Sequence, residues 1–117
     1  MARSNVPTQK ITRAGLVPAL TAPAGVGPTL GDVIDAGAVF LMVTAGATPT
    51  TVTVVSVPTV DGLDVADLSV TVAANTTRLI GPFPSRTFAQ PDGSADAGRV
   101  YVDYSSVATV TRGVVSL

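Results

Sequence analysis

Few residues of this chain are able to do acid–base or metal chemistry. The 117 residues include eight acidic side chains, all of them aspartate, together with six arginines and Lys10 as the single lysine. Histidine, cysteine, glutamate and tryptophan do not occur. Without histidine and cysteine there is no imidazole base, no thiolate nucleophile, no disulfide and no zinc or copper site of the usual kind. The composition therefore predicts a protein that is not an enzyme and that uses no metal and no cofactor.

Three aspartates, Asp61, Asp64 and Asp67, form the one cluster of candidate metal ligands in the sequence. Calcium loops place acidic oxygens at alternate positions around a central glycine and end on a bidentate glutamate. In this chain each aspartate follows the previous one by three residues, and no glutamate comes after them. The pattern favours solvated acids in a turn, held by local hydrogen bonds, over a calcium site.

A second constellation joins Asp103 to the tyrosines on either side of it. On a regular strand, alternation places Tyr101 and Asp103 on one face and Tyr104 on the other. No nucleophile accompanies them, so a structural role is favoured over a tyrosine–aspartate acid–base pair. Arg78 or Arg112 is the expected partner of the Asp103 carboxylate.

Charge and hydropathy exclude the largest partner classes. Seven basic and eight acidic residues give a net charge of −1, which provides no basic patch for a nucleic acid. The longest uncharged apolar stretch around a strand-like centre, Ala36–Ala47, is far shorter than the ~20 residues of a membrane-spanning helix. Arg3–Gly25 resembles a poor secretion signal, because Pro18 breaks its short apolar region. We therefore expect no nucleic acid, no membrane and no small-molecule substrate as a partner.

The stretch from residue 38 to residue 117 has the period-two pattern of short β-strands. Thr51-Val52-Thr53-Val54 alternates threonine with valine, and Asp61-Gly62, Asp92-Gly93 and Asn75 are turn signals between such runs. The expected fold is all-β, a single antiparallel β-sandwich or small barrel with an extended N-terminal arm. The predicted strands are residues 38–43, 51–57, 68–72, 77–80, 99–104, 107–111 and 114–115.

Residues 1–37 are predicted to form the extended arm and linker in front of a β-sandwich domain of residues 38–117. Four prolines and several glycines leave no room here for a long element. The local candidates are a short strand near Gln9–Arg13 and a helix over Thr29–Ala36, which Gly31 weakens. The apolar side chains of the arm indicate that it orders on a partner's surface. The expected contact residues are Lys10, Ile11, Arg13, Leu16, Val17 and Leu20.

Phe83 stands between two prolines, in a segment where a short strand stops at Gly81-Pro82. A residue before proline is driven to extended geometry, so Phe83 becomes a preorganised apolar knob. It either plugs the end of its own sandwich or packs into a neighbouring subunit. Phe83 and Phe88 complete the set of candidate capsid or subunit contacts.

Several strings of this chain resemble one group of proteins. The run Val-Thr-Val-Ala-Ala-Asn-Thr-Thr-Arg-Leu-Ile-Gly-Pro-Phe-Pro at residues 70–84 is similar to small proteins encoded beside the major capsid protein in tailed phages of actinobacteria. The resemblance covers most of the chain and implies a capsid decoration or minor head protein, with no catalytic residues. It also rests on Phe88-Ala89-Gln90, Asp92-Gly93, Val100–Ser105, Pro7-Thr8 and Ile11–Gly15.

The expected function is that of a structural virion protein that binds the outer surface of a phage capsid and stabilises the shell. Its partners would be the major capsid protein and further copies of itself, with a trimer favoured if the module sits on a threefold axis. One alternative is a neck or tail-tube protein that forms rings. The other is a host-facing receptor or carbohydrate-binding module, although sugar binders use exposed aromatic rings and this chain has no tryptophan and two tyrosines.

Overall fold

The computed structural model describes residues 4–23, 25, 31–56, 59–60, 63–64, 67–90 and 97–116, and for residues 59–60, 63–64 and 85–86 it describes the backbone alone. Within these residues the chain forms eleven β-strands and one turn of helix, which confirms the all-β prediction. The elements are β1 (Ser4–Asn5), β2 (Thr8–Lys10), β3 (Asp32–Asp35), β4 (Val39–Thr44), β5 (Thr50–Val54), β6 (Thr59–Val60), β7 (Leu63–Asp64), β8 (Leu68–Val72), β9 (Thr77–Ile80), α1 (Ser85–Phe88), β10 (Arg99–Tyr104) and β11 (Thr111–Ser116).

Two sheets pack face to face as a sandwich. The five-stranded sheet has the order β1-β3-β10-β5-β8, and the four-stranded sheet has the order β2-β11-β4-β9. β6 and β7 form a separate two-stranded ribbon. Each of the two large sheets keeps its own edge strands, so the architecture is the sandwich and not the closed barrel. Both sheets are mixed instead of purely antiparallel, because β1 runs parallel to β3 and β2 runs parallel to β11.

The core lies between the sheets and is built by alternation along each strand. In β4 the side chains of Val39, Leu41 and Val43 are buried, and those between them are half-buried on the other face. In β10 the buried set is Val100, Val102 and Tyr104, as the sequence pattern predicted. Each buried valine contributes roughly 1.5–3 kcal/mol of transfer free energy. These residues belong to one continuous apolar cluster that draws on both sheets.

The helix predicted over Thr29–Ala36 is wrong where the structure describes it, because residues 32–35 form β3. This strand pairs antiparallel with β10, from Arg99 opposite Asp35 to Val102 opposite Asp32. Ile34 is fully buried and packs in the core. Sheet pairing and burial override the weak helical signal of so short a segment. Residues 29 and 30 lie outside the described residues.

The N-terminal segment passes from one sheet to the other. Ser4 and Asn5 pair with β3 in the five-stranded sheet, and Thr8–Lys10 pair with β11 in the four-stranded sheet. Between the two pairings, Val6 is only 5% exposed and belongs to the core cluster. Residues 4–10 therefore close one side of the sandwich, and the boundary predicted at residue 37 falls between β3 of one sheet and β4 of the other.

The end of the chain also differs from the sequence prediction. The predicted strand over residues 107–111 is a turn up to Val110, where the Val110 amide donates to the Val107 carbonyl at 3.3 Å and Thr109 has a φ of 57°. A single strand, β11, then replaces the two short runs. The predicted turn at Asn75 is confirmed by its φ of 60°. Asp61-Gly62 and Asp92-Gly93 lie outside the described residues, although β6 and β7 pair on either side of the first dipeptide.

Candidate interaction surface

The outer face of the four-stranded sheet carries no charged side chain at its described strand positions. The register places Val115 opposite Phe40, and Gly113 opposite Met42, on this face. Met42 in turn lies opposite Leu79 of β9. A solvated sheet face ordinarily presents polar and charged residues. Thr44 and Thr77 lie at one end of the same face, where their hydroxyls bond to each other at 2.8 Å, and the rest of the β4–β9 pair on this face is apolar. A largely apolar, uncharged outer face is typical of a surface that contacts another protein.

The outer face of the five-stranded sheet has the opposite character. Its positions include Tyr101 and Asp103 of β10, with Thr53 directly opposite Asp103. Asp35 pairs with Arg99 on the same face, with 3.2 Å between Oδ1 and Nε. Hydroxyl and charged groups therefore cover this sheet, which matches an ordinary solvated face.

The chain from residue 11 to residue 21 crosses the outer face of the four-stranded sheet, and we call this segment the strap. It leaves β2 where the Ile11 amide donates to the Ser116 carbonyl at 2.8 Å, and it reverses at Thr12–Gly15. The side chain of Gln9 holds the returning chain at Ala19, by one bond from Nε2 to the Ala19 carbonyl at 3.0 Å and one from the Ala19 amide to Oε1 at 2.8 Å. The strap is thus part of the folded structure.

Gly113 allows the strap to lie close to β11. A Cβ atom at this position would come within 2.9 Å of both the Ala19 carbonyl oxygen and Leu20 Cδ2. Real Cβ atoms do not approach other atoms so closely, so any side chain would push the strap away. Gly113 is therefore the point at which the strap contacts β11.

An apolar groove of about 420 Å³ lies between the strap and the sheet. The strap contributes Ile11, Leu16 and Pro18, and the sheet contributes Phe40, Met42 and Leu79 among others. Leu79 is 61% exposed, and Val17, at the crest of the strap beside the groove, is 91% exposed. Val115 in the floor is buried and Phe40 and Met42 are half-buried, so the apolar surface exposed to water is concentrated at Ile11, Val17 and Leu79.

Most of the contact residues predicted in the N-terminal arm lie on this one surface. Ile11 and Leu16 line the groove, Val17 projects from it, and Leu20 packs over Gly113. Lys10 ends β2 and Arg13 lies in the strap's turn, and both are exposed.

Phe83 and Phe88 are not part of this surface. Phe83 is fully buried, so the structure places it inside its own sandwich instead of on a contact surface. Its ring meets that of half-buried Phe88 edge-to-face, with 5.9 Å between the centroids. The backbone of Phe83 exchanges two hydrogen bonds with Gly37, which is distant in sequence, at 2.7 and 3.0 Å, and this pairing holds the segment with its ring inward.

A buried ion pair joins the two sheets behind the strap. Arg112 of β11 donates from Nε to Asp32 Oδ2 at 2.7 Å and from Nη2 to Oδ1 at 2.9 Å. Tyr104 donates its hydroxyl to the same Oδ2 at 2.5 Å. Arg112 Nη1 also donates to the carbonyl of Thr21, at 3.1 Å, so the network holds the end of the strap. Arg112 is therefore the partner of Asp32, and the expected pairing of Arg112 with Asp103 is wrong.

Burial and mutual contact fix the protonation states of Tyr104 and Arg112 in this network. Burial raises the pKa of Tyr104 well above its ordinary value, and the charge of Asp32 and the hydrogen bond to it raise that pKa further. Burial lowers the pKa of Arg112, but the hydrogen bond and charge of Asp32 outweigh it and the net direction is upward. Tyr104 thus stays neutral and Arg112 stays charged across the physiological range. In the described part of the chain, every buried side-chain nitrogen and oxygen has a hydrogen-bond partner.

The aspartates of the candidate calcium turn are only partly described. Asp61 lies outside the described residues, and only the backbone of Asp64 is described. The Asp67 carboxylate accepts hydrogen bonds from the amide and hydroxyl of Ser56, at 2.9 and 3.1 Å. Among the described residues, no three acidic side chains gather into a group able to hold a metal ion.

No protein-family model, no curated protein and no solved structure matches this chain. Over the described ranges, no helix has the length and hydropathy needed to cross a membrane.

Proposed function

We propose that this chain is a structural virion protein that binds the outer surface of a phage capsid and stabilises the shell. The observation that carries the proposal is the uncharged, apolar outer face of the four-stranded sheet, with its groove and strap. Such a surface suits a protein partner better than a charged or small polar ligand. The resemblance of residues 70–84 and of the flanking strings to proteins encoded beside phage major capsid proteins supports the same role.

The mechanism is mechanical. Docking removes the exposed apolar groups of the strap and of β9 from water, at roughly 25 cal/mol per Å² of apolar surface buried. Association costs translational, rotational and side-chain freedom, and a strap that is already folded lowers the ordering part of that cost. A symmetric shell repeats each weak contact many times, and a homo-oligomer, with a trimer favoured on a threefold axis, adds avidity.

Co-sedimentation with empty shells of the major capsid protein tests this proposal. We expect saturable binding at a fixed ratio to the capsid protein. Leu79→Asp and Val17→Asp, which place a charge on the apolar surface at exposed positions, should weaken binding at least tenfold. Ser69→Asp is the matched control, because Ser69 is an exposed strand residue of the other sheet and should leave binding unchanged.

The same experiment has two outcomes that overturn the proposal. One is the absence of sedimentation with shells while the protein assembles alone into rings under negative-stain microscopy, which points to a neck or tail role. The other is shell binding that the two aspartate variants leave at the wild-type level.

A further inference from the structure

The two sides of the four-stranded sheet differ in backbone pairing within the described residues. At the β11 edge, β2 pairs with residues 114–116, and Thr21 exchanges two backbone bonds with Arg112 at 3.1 and 2.8 Å. The opposite edge is β9, which pairs with β4 on one side and has no strand of the described chain on the other. The outward backbone groups of β11 are thus paired, whereas β9 is an open edge, with no second strand beside it among the described residues.

The hydrogen-bonding groups at the open edge follow from the register of β9. The Ala45 amide donates to the Thr76 carbonyl at 3.0 Å, and antiparallel pairs alternate between bonded and non-bonded. Arg78 and Ile80 therefore direct their backbone groups to β4, whereas Thr77 and Leu79 direct theirs to the open edge. Thr77, Arg78 and Leu79 are all exposed. An exposed edge of this kind is a template for one more strand.

The side chains of β9 define the strand that fits there. Leu79 lies on the outer face opposite Met42 and lines the apolar groove. Arg78 projects from the other face and reaches β8, where Nη1 donates to the Thr71 carbonyl at 3.2 Å. Arg78 forms no ion pair with a carboxylate of the described residues, and its other N–H groups can serve an incoming acid. Cross-strand neighbours favour an opposite charge beside Arg78 and an apolar group beside Leu79.

Charge also argues against a second copy as the occupant. If two β9 strands paired across a twofold axis through the groups of Thr77 and Leu79, the register of greatest overlap would set Arg78 directly opposite its equivalent. Like charges in that position destabilise a strand pair. The Arg78 guanidinium therefore disfavours pairing of β9 with a second copy of itself and favours an incoming strand that carries an acidic side chain.

We propose that β9 accepts an extended segment of a partner protein as a fifth strand, with a carboxylate beside Arg78 and an apolar side chain beside Leu79 that enters the groove. The segment would extend the sheet from the edge while the apolar face docks. The inference rests on the proposed function for the identity of the partner, and on β9 alone for the chemistry of the strand.

Nuclear magnetic resonance titration of the full chain with two capped hexapeptides tests this inference. One peptide alternates valine with glutamate and the other alternates valine with lysine. We expect the glutamate peptide to shift the amide resonances of Thr77 and Leu79 and, at low ionic strength, to bind about five- to tenfold more tightly than the lysine peptide. Arg78→Glu should reverse that preference.

A proline variant tests the backbone part of the inference. Leu79→Pro removes an N–H that faces the open edge and not one bonded to β4, so the sheet should survive while both peptides lose binding. Leu79→Val keeps the N–H and an apolar side chain, and should keep binding within about twofold. Thermal unfolding of both variants establishes that they fold.

Three results would overturn the inference: no shifts at β9 with either peptide, an unchanged preference in Arg78→Glu, or a dimer of the free chain that Leu79→Pro dissolves. Comparison with shell binding separates the two proposals. Peptide binding at β9 without any binding to shells rejects the capsid role and retains the strand site. Shell binding that Leu79→Pro leaves intact, together with no peptide binding, rejects the strand site and retains the capsid role.

Discussion

At the residue scale, burial of the Asp32 carboxylate carries a large desolvation cost. Asp32 is fully buried and Arg112 is 5% exposed, so both charges are taken out of water. Such a pair is tolerated when its geometry is good and its remaining groups are bonded. Here the guanidinium is bidentate on the carboxylate, and Tyr104 and Thr21 bond the remaining groups. Removing any one side chain of the Asp32–Arg112–Tyr104 network would leave a buried polar or charged group without its hydrogen-bond partner.

Asp32→Asn tests this account. The change leaves the Arg112 guanidinium buried without a counter-charge, so we expect the free energy of unfolding to fall by about 3–5 kcal/mol at neutral pH, measured by urea denaturation. Asp35→Asn is the matched control, because Asp35 is half-exposed in its pair with Arg99 and should cost about 1 kcal/mol or less. Equal losses in the two variants would contradict the role of burial.

At the element scale, the N-terminal strands behave as part of the sandwich. The amides of Ser4 and Val6 donate to Gly31 and Val33 at 3.0 Å each, and Thr8 bonds to Asp35 through its hydroxyl. These short elements have too few residues to be stable alone, and their pairing with β3 and β11 holds them in place. The strap beyond them depends on these strands, because Gln9, which holds Ala19, belongs to β2.

Removal of residues 1–10 tests the structural role of β1 and β2. The shortened chain loses the burial of Val6 and the bonds of both strands, so we expect its free energy of unfolding to be lower by about 3 kcal/mol or more. Val17→Ser in the full chain is the control, because a 91% exposed side chain should change stability by about 0.5 kcal/mol or less. Matching urea midpoints for the shortened and full chains would show that β1 and β2 contribute nothing to the free energy of unfolding.

At the scale of the whole molecule, the sandwich has one polar outer face and one apolar outer face. The apolar face bears the strap and the open edge of β9, so the docking features are concentrated on one side. The Asp32–Arg112–Tyr104 network crosses the core, because Asp32 and Tyr104 belong to the five-stranded sheet and Arg112 to the four-stranded sheet. Its protonation state therefore bears on the stability of the entire fold.

Alkaline pH is expected to destabilise the fold through Tyr104. Its pKa is raised in the folded state, whereas the unfolded chain releases the proton near the ordinary value of about 10. The contribution is thus fully present below pH ~10 and is lost as the pH rises further, by up to about 1.4 kcal/mol per pH unit. Urea midpoints measured between about pH 8.5 and 11 should show this fall.

Two phenylalanine variants identify the source of that dependence. Tyr104→Phe should be less stable at neutral pH, because Asp32 loses a hydrogen bond, and should show a shallower alkaline fall. Tyr101→Phe, altered on the outer face of the same strand, should keep the wild-type slope. Identical slopes in all three proteins would exclude Tyr104 as the group responsible.

The sequence alone determined the features that depend on local pattern. The strands at residues 68–72 and 99–104 were predicted at their observed bounds because alternation of apolar and polar residues is visible within a few positions. The strand at residues 77–80 was also predicted at its observed bounds, because Gly81-Pro82 ends it. The inward set of β10 and the turn at Asn75 follow from the same short-range signals. Of the candidate surface, the strap residues Ile11, Leu16, Val17 and Leu20 were found because they are apolar in a segment too rich in proline and glycine for a long element.

Only the tertiary structure decided the features that depend on distant partners. Asp32 and Arg112 are 80 residues apart, and no local signal marks either as the partner of the other. Residues 32–35 became a strand because β10 pairs with them, although their own pattern is too short to choose between helix and strand. Phe83 turned inward through its bonds to Gly37. The uncharged face and the open edge of β9 emerged because the order of strands in a sheet depends on packing, which a single strand's sequence does not encode.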